Sequence, residues 1–382
     1  MLKKTIHKYW LFFILCIIYF PLFKYYIFLN NNKGHTFLTS DWLINYNYGF
    51  VKRGLAGTIF YNLTDNPDLL LDIISTCLIF IYILIFYYLN QTFSLNKQNL
   101  LSIILIFSPA AFLFPIYDSQ GAFRKEIIGL LSLLMVASLS KKINYRKGLF
   151  LASSIYTFGL FSHSVNVFFL TTIIFIIYRF YDSKNINDYF LFIIPTIFYL
   201  LMYILFSASE QQLYLIRDNI CEDLRSMNLF NLCGHGSFDY LVWDINANFL
   251  ISQNFIINER RAEYYLYILL FLFSLIPYIF DKNIFELFVP FLIIGGSFIP
   301  LFFFAIDWGR WIYIISLCFL IIYLLSEKKV VTNQIKYILL LFPIFFRLEH
   351  CCDPNFELSF LYIKSNLDYL IFNLQNIYLF KI

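Results

Sequence analysis

Long apolar runs, cut at intervals by short polar segments, dominate the sequence. A helix needs about 20 apolar residues to cross the hydrocarbon of a bilayer. By that rule spans are expected over 9–29, 68–89, 100–116, 126–140, 149–161, 164–179, 189–207, 264–280, 285–304, 311–325 and 336–348. The stretch 150–178 carries no charge and reads either as one long helix or as two short ones broken near Gly159 and His163. A last segment, 361–380, is interrupted by Lys364 and Asp368 and reads as a poor span or a helix lying in the interface. The pattern predicts an all-α polytopic membrane protein: about eleven transmembrane helices in a single domain over 1–382, with one long outer loop over 207–262. That loop is mixed in charge and holds Tyr214, Tyr240 and Trp243. Loops of such length are usually functional or disordered.

Lys3, Lys4 and Lys8 precede the first run, and no small-residue cleavage site follows it, so it reads as an uncleaved span. The lysines place the N-terminus in the cytoplasm. Eleven spans then put 90–99, 141–148, 180–188, 281–284 and 326–335 inside, and Lys141, Lys142, Arg146, Lys147, Lys328 and Lys329 agree. Keeping that agreement requires two spans in 149–179.

Composition narrows the class. Of 382 residues, 60% are hydrophobic and 14% charged, against about a quarter charged in soluble domains. A net charge of +4 gives no case for nucleic acid. The basic residues segregate: lysine marks the expected cytoplasmic loops, whereas Arg53, Arg124, Arg217, Arg225, Arg260, Arg261, Arg310 and Arg347 fall on the opposite side. A guanidinium presents a planar fork of donors that fits phosphate or carboxylate, so an anionic ligand is expected on the outer face. Cys221 and Cys233 lie in the long loop, where an oxidising compartment would allow them to pair. Cys16, Cys77 and Cys318 sit in apolar spans. No Cys/His spacing points to zinc, and no metal or cofactor is expected.

Polar residues of special chemistry gather in patches, all on the expected outer side. The first, 41–57, combines Asp41, Trp42, Lys52, Arg53 and three glycines. It reads as a ligand loop or as a juxtamembrane loop with interfacial aromatics. The second runs from Asp118 through Arg124, Lys125 and Glu126 at the start of a span. There a helix N-terminus favours an anion, or Arg124 pairs with Asp118 or Glu126. The third surrounds His163, from Ser162 to Asn166, within the charge-free stretch. Polar groups in such a setting face a protein interior or a wet cavity, and a histidine there acts as acid or base or is simply hydrogen-bonded. The fourth, Asp307, Trp308, Gly309, Arg310 and Trp311, is a phosphate and sugar site or a structural ion pair. Arg347–Asp353 and Glu259–Arg261 read as solvated ion pairs.

The Asp41…Lys52-Arg53-Gly54 stretch, Arg124-Lys125-Glu126 and Asp307-Trp308-Gly309-Arg310, set among about eleven Phe-, Ile- and Tyr-rich spans with one long outer loop, resemble the bacterial oligosaccharide repeat-unit polymerases of O-antigen and capsule assembly, the Wzy type. The resemblance is one of overall kind over the whole chain. It implies a GT-C-like glycosyltransferase, multi-pass in the bacterial inner membrane and active on its periplasmic side. Donor and acceptor would be oligosaccharides on undecaprenyl pyrophosphate, with a chain-length regulator as a candidate partner. Arg53, Arg124 and Arg310 are then candidates to stabilise the leaving pyrophosphate, supported by Lys52 and Lys125. Asp41, which matches by position the first-loop acid of GT-C enzymes, is the first candidate base and His163 the second. Asp118 and Asp307 are candidates for substrate binding. Trp42, Trp308 and Trp311 are stacking platforms for sugars or belt residues. Two rivals share part of this picture: a GT-C transferase adding a side-branch sugar from a polyprenyl-phosphate donor, and a lipid-linked oligosaccharide flippase.

Overall fold

The expected apolar runs that lie among the described residues of the computed structural model, which are 2–96, 100–182, 185–242, 245–279, 284–326 and 346–351, fold as helix with one interruption, and no strand occurs among those residues. In chain order the helices are α1 (Leu2–Asn31), α2 (Ser40–Leu43), α3 (Leu55–Tyr61), α4 (Pro67–Ser94), α5 (Leu100–Ile106), α6 (Phe114–Tyr117), α7 (Ser119–Ala122), α8 (Glu126–Leu139) and α9 (Arg146–Ser162). Then follow α10 (Phe169–Phe180), α11 (Ile186–Phe206), α12 (Glu210–Ser226), α13 (Asp239–Val242), α14 (Ile245–Asn254), α15 (Arg261–Ile279), α16 (Ile284–Phe304) and α17 (Trp308–Leu325). Stretches in α1, α4, α11 and α17 are long and apolar enough to cross a membrane, and several further helices are apolar but shorter. This is the pattern of a multi-pass membrane protein. Most of the expected span 336–348, the segment 361–380, and Lys328, Lys329, Trp243 and Cys352 lie outside the described residues.

Three expectations meet the structure differently. The stretch 100–116 is not one helix: α5 has only 7 residues and stops at Ile106. Seven residues rise about 10 Å, a third of the hydrocarbon thickness. The cause is Pro109, which has no N–H to donate and disfavours a helical conformation at Ser108. The chain turns there, with the Ala111 N–H donating to the Ser108 carbonyl at 2.9 Å. The charge-free stretch, in contrast, does divide in two. His163 is extended (φ −161°, ψ 123°), and a 3-10 turn over Ser164–Phe168 leads into α10. The long segment 207–262 is mostly helical. Ser209 and Gln212 form a reciprocal capping box at the start of α12, and Cys221 is disulfide-bonded to Cys233.

The chain packs as two units, each assembled from separated segments. The first comprises Met1–Phe13, Tyr26–Leu95 and Phe123–Asn248, the second Ile14–Tyr25, Asn96–Ala122 and Phe249–Ile382. In the first unit α8 packs on α4, α9 and α10. Every residue of α8 is buried, as expected of a helix apolar all round. Asn166 pins the 3-10 turn to this core: its Oδ1 accepts from the Gly129 N–H at 3.1 Å, and its Nδ2 donates to the Gly159 carbonyl at 2.8 Å. In the second unit α17 is the central helix, buried from Gly309 to Leu325, with α5, α15 and α16 against it. Asn96 Nδ2 donates to the carbonyls of Leu324 and Leu325 at 2.9 and 2.8 Å, so part of the C-terminal end of α17 is capped by a side chain.

Candidate active site

In the first unit the loop between α1 and α4 folds back on itself. Gly57 lies so close to the Ile44 carbonyl that a Cβ would overlap it. Tyr46 fastens the loop: its N–H donates to Thr58 Oγ1 at 2.8 Å and its hydroxyl to the Phe161 carbonyl at 2.7 Å. The consequence is that α2 carries Asp41 fully inside the protein, at 0% exposure.

Charged groups from three other parts of the unit surround this carboxylate. Arg53 Nη1 stands 3.4 Å from Asp41 Oδ1. Lys125, also 0% exposed, donates from Nζ to the Arg53 carbonyl at 2.8 Å. Arg124 Nη1 donates to the Phe37 carbonyl at 3.1 Å and to Ser237 Oγ at 3.2 Å, and its guanidinium lies 5.5 Å from the centre of the Phe37 ring. His163 Nε2 lies 3.9 Å from Glu126 Oε1. Its Nδ1 accepts from the Val165 N–H at 3.3 Å, so in the neutral ring the proton belongs on Nε2. Tyr199 supports the basic pair by donating to the Lys52 carbonyl at 3.2 Å.

The electrostatics follow from that ring. Burial alone would push Asp41 up, but Lys125, His163, Arg53 and Arg124 outweigh it and hold the carboxyl well below the usual carboxylate range. Burial lowers the Lys125 ammonium to about 8, against the raising pull of Asp41. Arg53, Arg124 and Lys125 face Asp41 and Glu126, an excess of one positive charge before His163 is counted. Asp41 Oδ2 is buried without a hydrogen-bond partner among the described residues. An ionised oxygen left in that state is costly unless something else fills its acceptor sites.

Five candidates named from sequence, Asp41, Arg53, Arg124, Lys125 and His163, therefore meet in one cluster, and Lys52 adjoins it through the chain. Trp42 belongs to the core instead. It is 2% exposed, and its indole N–H donates to the Phe123 carbonyl at 2.8 Å, so its ring is no platform for a sugar. Ser237 and the ion partner Glu126 are additional members of the cluster. The sequence offered no signal for Ser237, which comes from a loop more than a hundred residues from Arg124.

The remaining candidates belong to the second unit. Arg310 Nη2 pairs with Asp307 Oδ2 at 2.9 Å, the structural alternative of the sequence reading. Trp308 donates to the Phe302 carbonyl at 3.0 Å and meets the rings of Tyr264 and Phe302 at 4.8 and 5.1 Å. Trp311 is 2% exposed. Asp118 accepts from the Gly121 N–H at 2.9 Å and contacts His350, a residue the sequence reading passed over as part of a solvated patch. No protein-family model, curated protein or solved structure matches the chain.

Proposed function

We propose that the chain joins oligosaccharide repeat units carried on undecaprenyl pyrophosphate, as a glycosyltransferase at the periplasmic face of the bacterial inner membrane. The observation that carries this reading is the buried Asp41 carboxylate, ringed by Arg53, Lys125 and Arg124 with one oxygen left for a ligand. Cation excess around a buried site suits a pyrophosphate, and a preset acceptor oxygen suits a sugar hydroxyl.

In the proposed step the acceptor hydroxyl donates its hydrogen bond to Asp41 Oδ2. Its oxygen attacks the anomeric carbon of the donor sugar as the bond from that carbon to the pyrophosphate oxygen breaks. The hydroxyl proton passes to Asp41. The electron pair of the broken bond leaves on the lipid pyrophosphate, where fixed cations stabilise the charge as it develops. A carboxylate held so strongly ionised is a weak base by itself. The incoming pyrophosphate offsets the cations that hold it so, and thereby raises its proton affinity. His163 suits the role less well, because its Nδ1 accepts from a backbone N–H and its Nε2 carries the proton of the neutral ring.

The test is a gel of surface polysaccharide from cells lacking the gene and complemented with the wild type, Asp41→Asn or Arg53→Ala. Collapse of the ladder to a single repeat unit in the null and both variants supports the reading. An intact ladder of altered mobility in the null would replace it with a side-branch transferase. Loss of even the single unit would point to a flippase or an earlier step.

A further inference from the structure

The first unit holds a histidine that the proposed step does not use. His35 lies in the loop between α1 and α2, beyond the span of α1, and is part-exposed. Its Nδ1 accepts from the backbone N–H groups of Phe37 and Leu38 at 3.1 and 3.4 Å, capping the turn that leads into α2. Burial and the guanidinium of Arg124 both lower its proton affinity, so the ring is neutral and its one proton sits on Nε2. That Nε2–H has no hydrogen-bond partner among the described residues.

The loop that carries His35 is braced from several directions. Thr39 Oγ1 accepts from the His35 N–H at 3.0 Å and donates to Asn30 Oδ1 at 2.6 Å. The Ser237 N–H donates to the Thr36 carbonyl at 3.0 Å, and a Cβ on Gly236 would overlap that same carbonyl. Phe37 joins the histidine to the cluster around Asp41: its N–H goes to His35 Nδ1, and its carbonyl accepts from Arg124 Nη1 at 3.1 Å. The Nε2–H is thus held in place, within electrostatic reach of Arg124. A cap at this position asks only for an acceptor, which Asp, Asn or Ser supplies. Aspartate would cancel the charge of Arg124. Histidine preserves that charge and adds a donor on the edge of the ring that the cap leaves unoccupied.

We infer that His35, together with Arg124, takes a phosphate group of the lipid pyrophosphate, with Arg124 supplying charge and His35 Nε2–H a neutral donor. An ionised phosphate oxygen only accepts, and it accepts from several donors at once, which suits a guanidinium and an imidazole N–H side by side. His35 keeps its proton during transfer, and its hydrogen bond strengthens as negative charge builds on the leaving group. The inference rests on the polymerase reading for the source of the phosphate, since a phospholipid headgroup would offer the same oxygens.

The test uses the full chain, labelled with nitrogen-15 at histidine, in a phosphate-free detergent. His35→Asn identifies the His35 signals by their loss. Long-range proton–nitrogen spectra should show the Nε2–H tautomer, and undecaprenyl pyrophosphate should move that signal whereas phosphatidylglycerol should not. His35→Asn keeps an acceptor for the two backbone N–H groups and removes the donor. It should melt as the wild type does and bind undecaprenyl pyrophosphate about tenfold more weakly, the loss of one hydrogen bond to a charged group. His35→Gln keeps an N–H near the position of Nε2 and loses the cap, so it should melt lower and regain most of that binding. The inference is overturned by an Nδ1–H tautomer, by an equal response to phosphatidylglycerol, or by wild-type binding in His35→Asn. Binding through His35 with an intact ladder in the null would overturn the polymerase reading alone. Collapse of the ladder in the null and in Asp41→Asn, with wild-type binding in His35→Asn, would overturn the role of His35 alone.

Discussion

The two units build their polar clusters from the same side chains to opposite electrostatic effect. In the first, two buried carboxylates, Asp41 and Glu126, face Arg53, Lys125 and Arg124, and one positive charge is left over among these five. In the second, each arginine has a carboxylate beside it, Arg310 with Asp307 and Arg347 with Glu349, and Asp118 meets His350. An arginine count alone would have ranked the two alike. What separates them is which carboxylates the fold brings within reach, and the lesson is that an anion site is defined by unmatched charge.

The strongest test of that contrast is Asp41→Asn. As a near-isosteric change that removes the acceptor of the proton, it should reduce polymerisation about a thousandfold while the protein still elutes as the wild type does from a sizing column. Ladder length in complemented cells reports it, and an unchanged ladder would remove Asp41 from the reaction. Next in size is the pair Arg53→Ala and Arg310→Ala. Loss of Arg53 should slow transfer by about a hundredfold. Loss of Arg310, whose partner Asp307 is partly exposed, should leave transfer within about threefold and instead lower the melting temperature by a few degrees. Equal effects of the two on transfer would break the comparison.

A third effect is set by pH. Lys125 titrates at about 8 in the folded chain, so transfer should decline above that pH as the cation is lost. Stability should move the other way. Between about 8 and about 10.4, the unperturbed lysine value, the unfolded chain keeps a proton that the folded chain has released, and stability therefore rises with pH in that window. Lys125→Arg, always charged, should abolish the alkaline decline; its persistence would assign the limb to another group. The smallest effect on transfer belongs to the Cys221–Cys233 bond. Replacing both cysteines by serine should cost roughly 3 kcal/mol of stability, seen as a lower melting temperature, with ladder length preserved.

Much of this was legible in the chain, and where it was not the reasons are physical. Apolar runs gave the long helices because bilayer thickness imposes their length. The polar island at His163 marked a true break, since an extended residue there interrupts the helical ladder. The same length rule misled at 100–116, where average apolarity concealed the local veto of Pro109. A search for apolar length also passed over α12, although its buried Ile216, Ile220 and Leu224 recur at helical spacing behind a legible capping box. Within the site, residue types were readable and their assembly was not. Asp118 and Arg124 looked like one patch six residues apart, yet they belong to different units. Trp42 had the composition of a sugar platform, but a carbonyl at Phe123 takes its indole N–H into the core.

The contacts that complete the two clusters also place them in time. Arg124 reaches Ser237, 113 residues further along, whereas Asp118 awaits His350, 232 residues on. A ribosome releasing the chain from its N-terminus finishes the cluster of the first unit while more than a third of the protein is still to be made. Throughout that interval Asp118 has been inserted without its histidine. Between residues 118 and 350 the nascent protein therefore carries an acid that lacks its histidine, and a truncation just before residue 350 would leave it so permanently, a ready mark by which quality control could distinguish such copies.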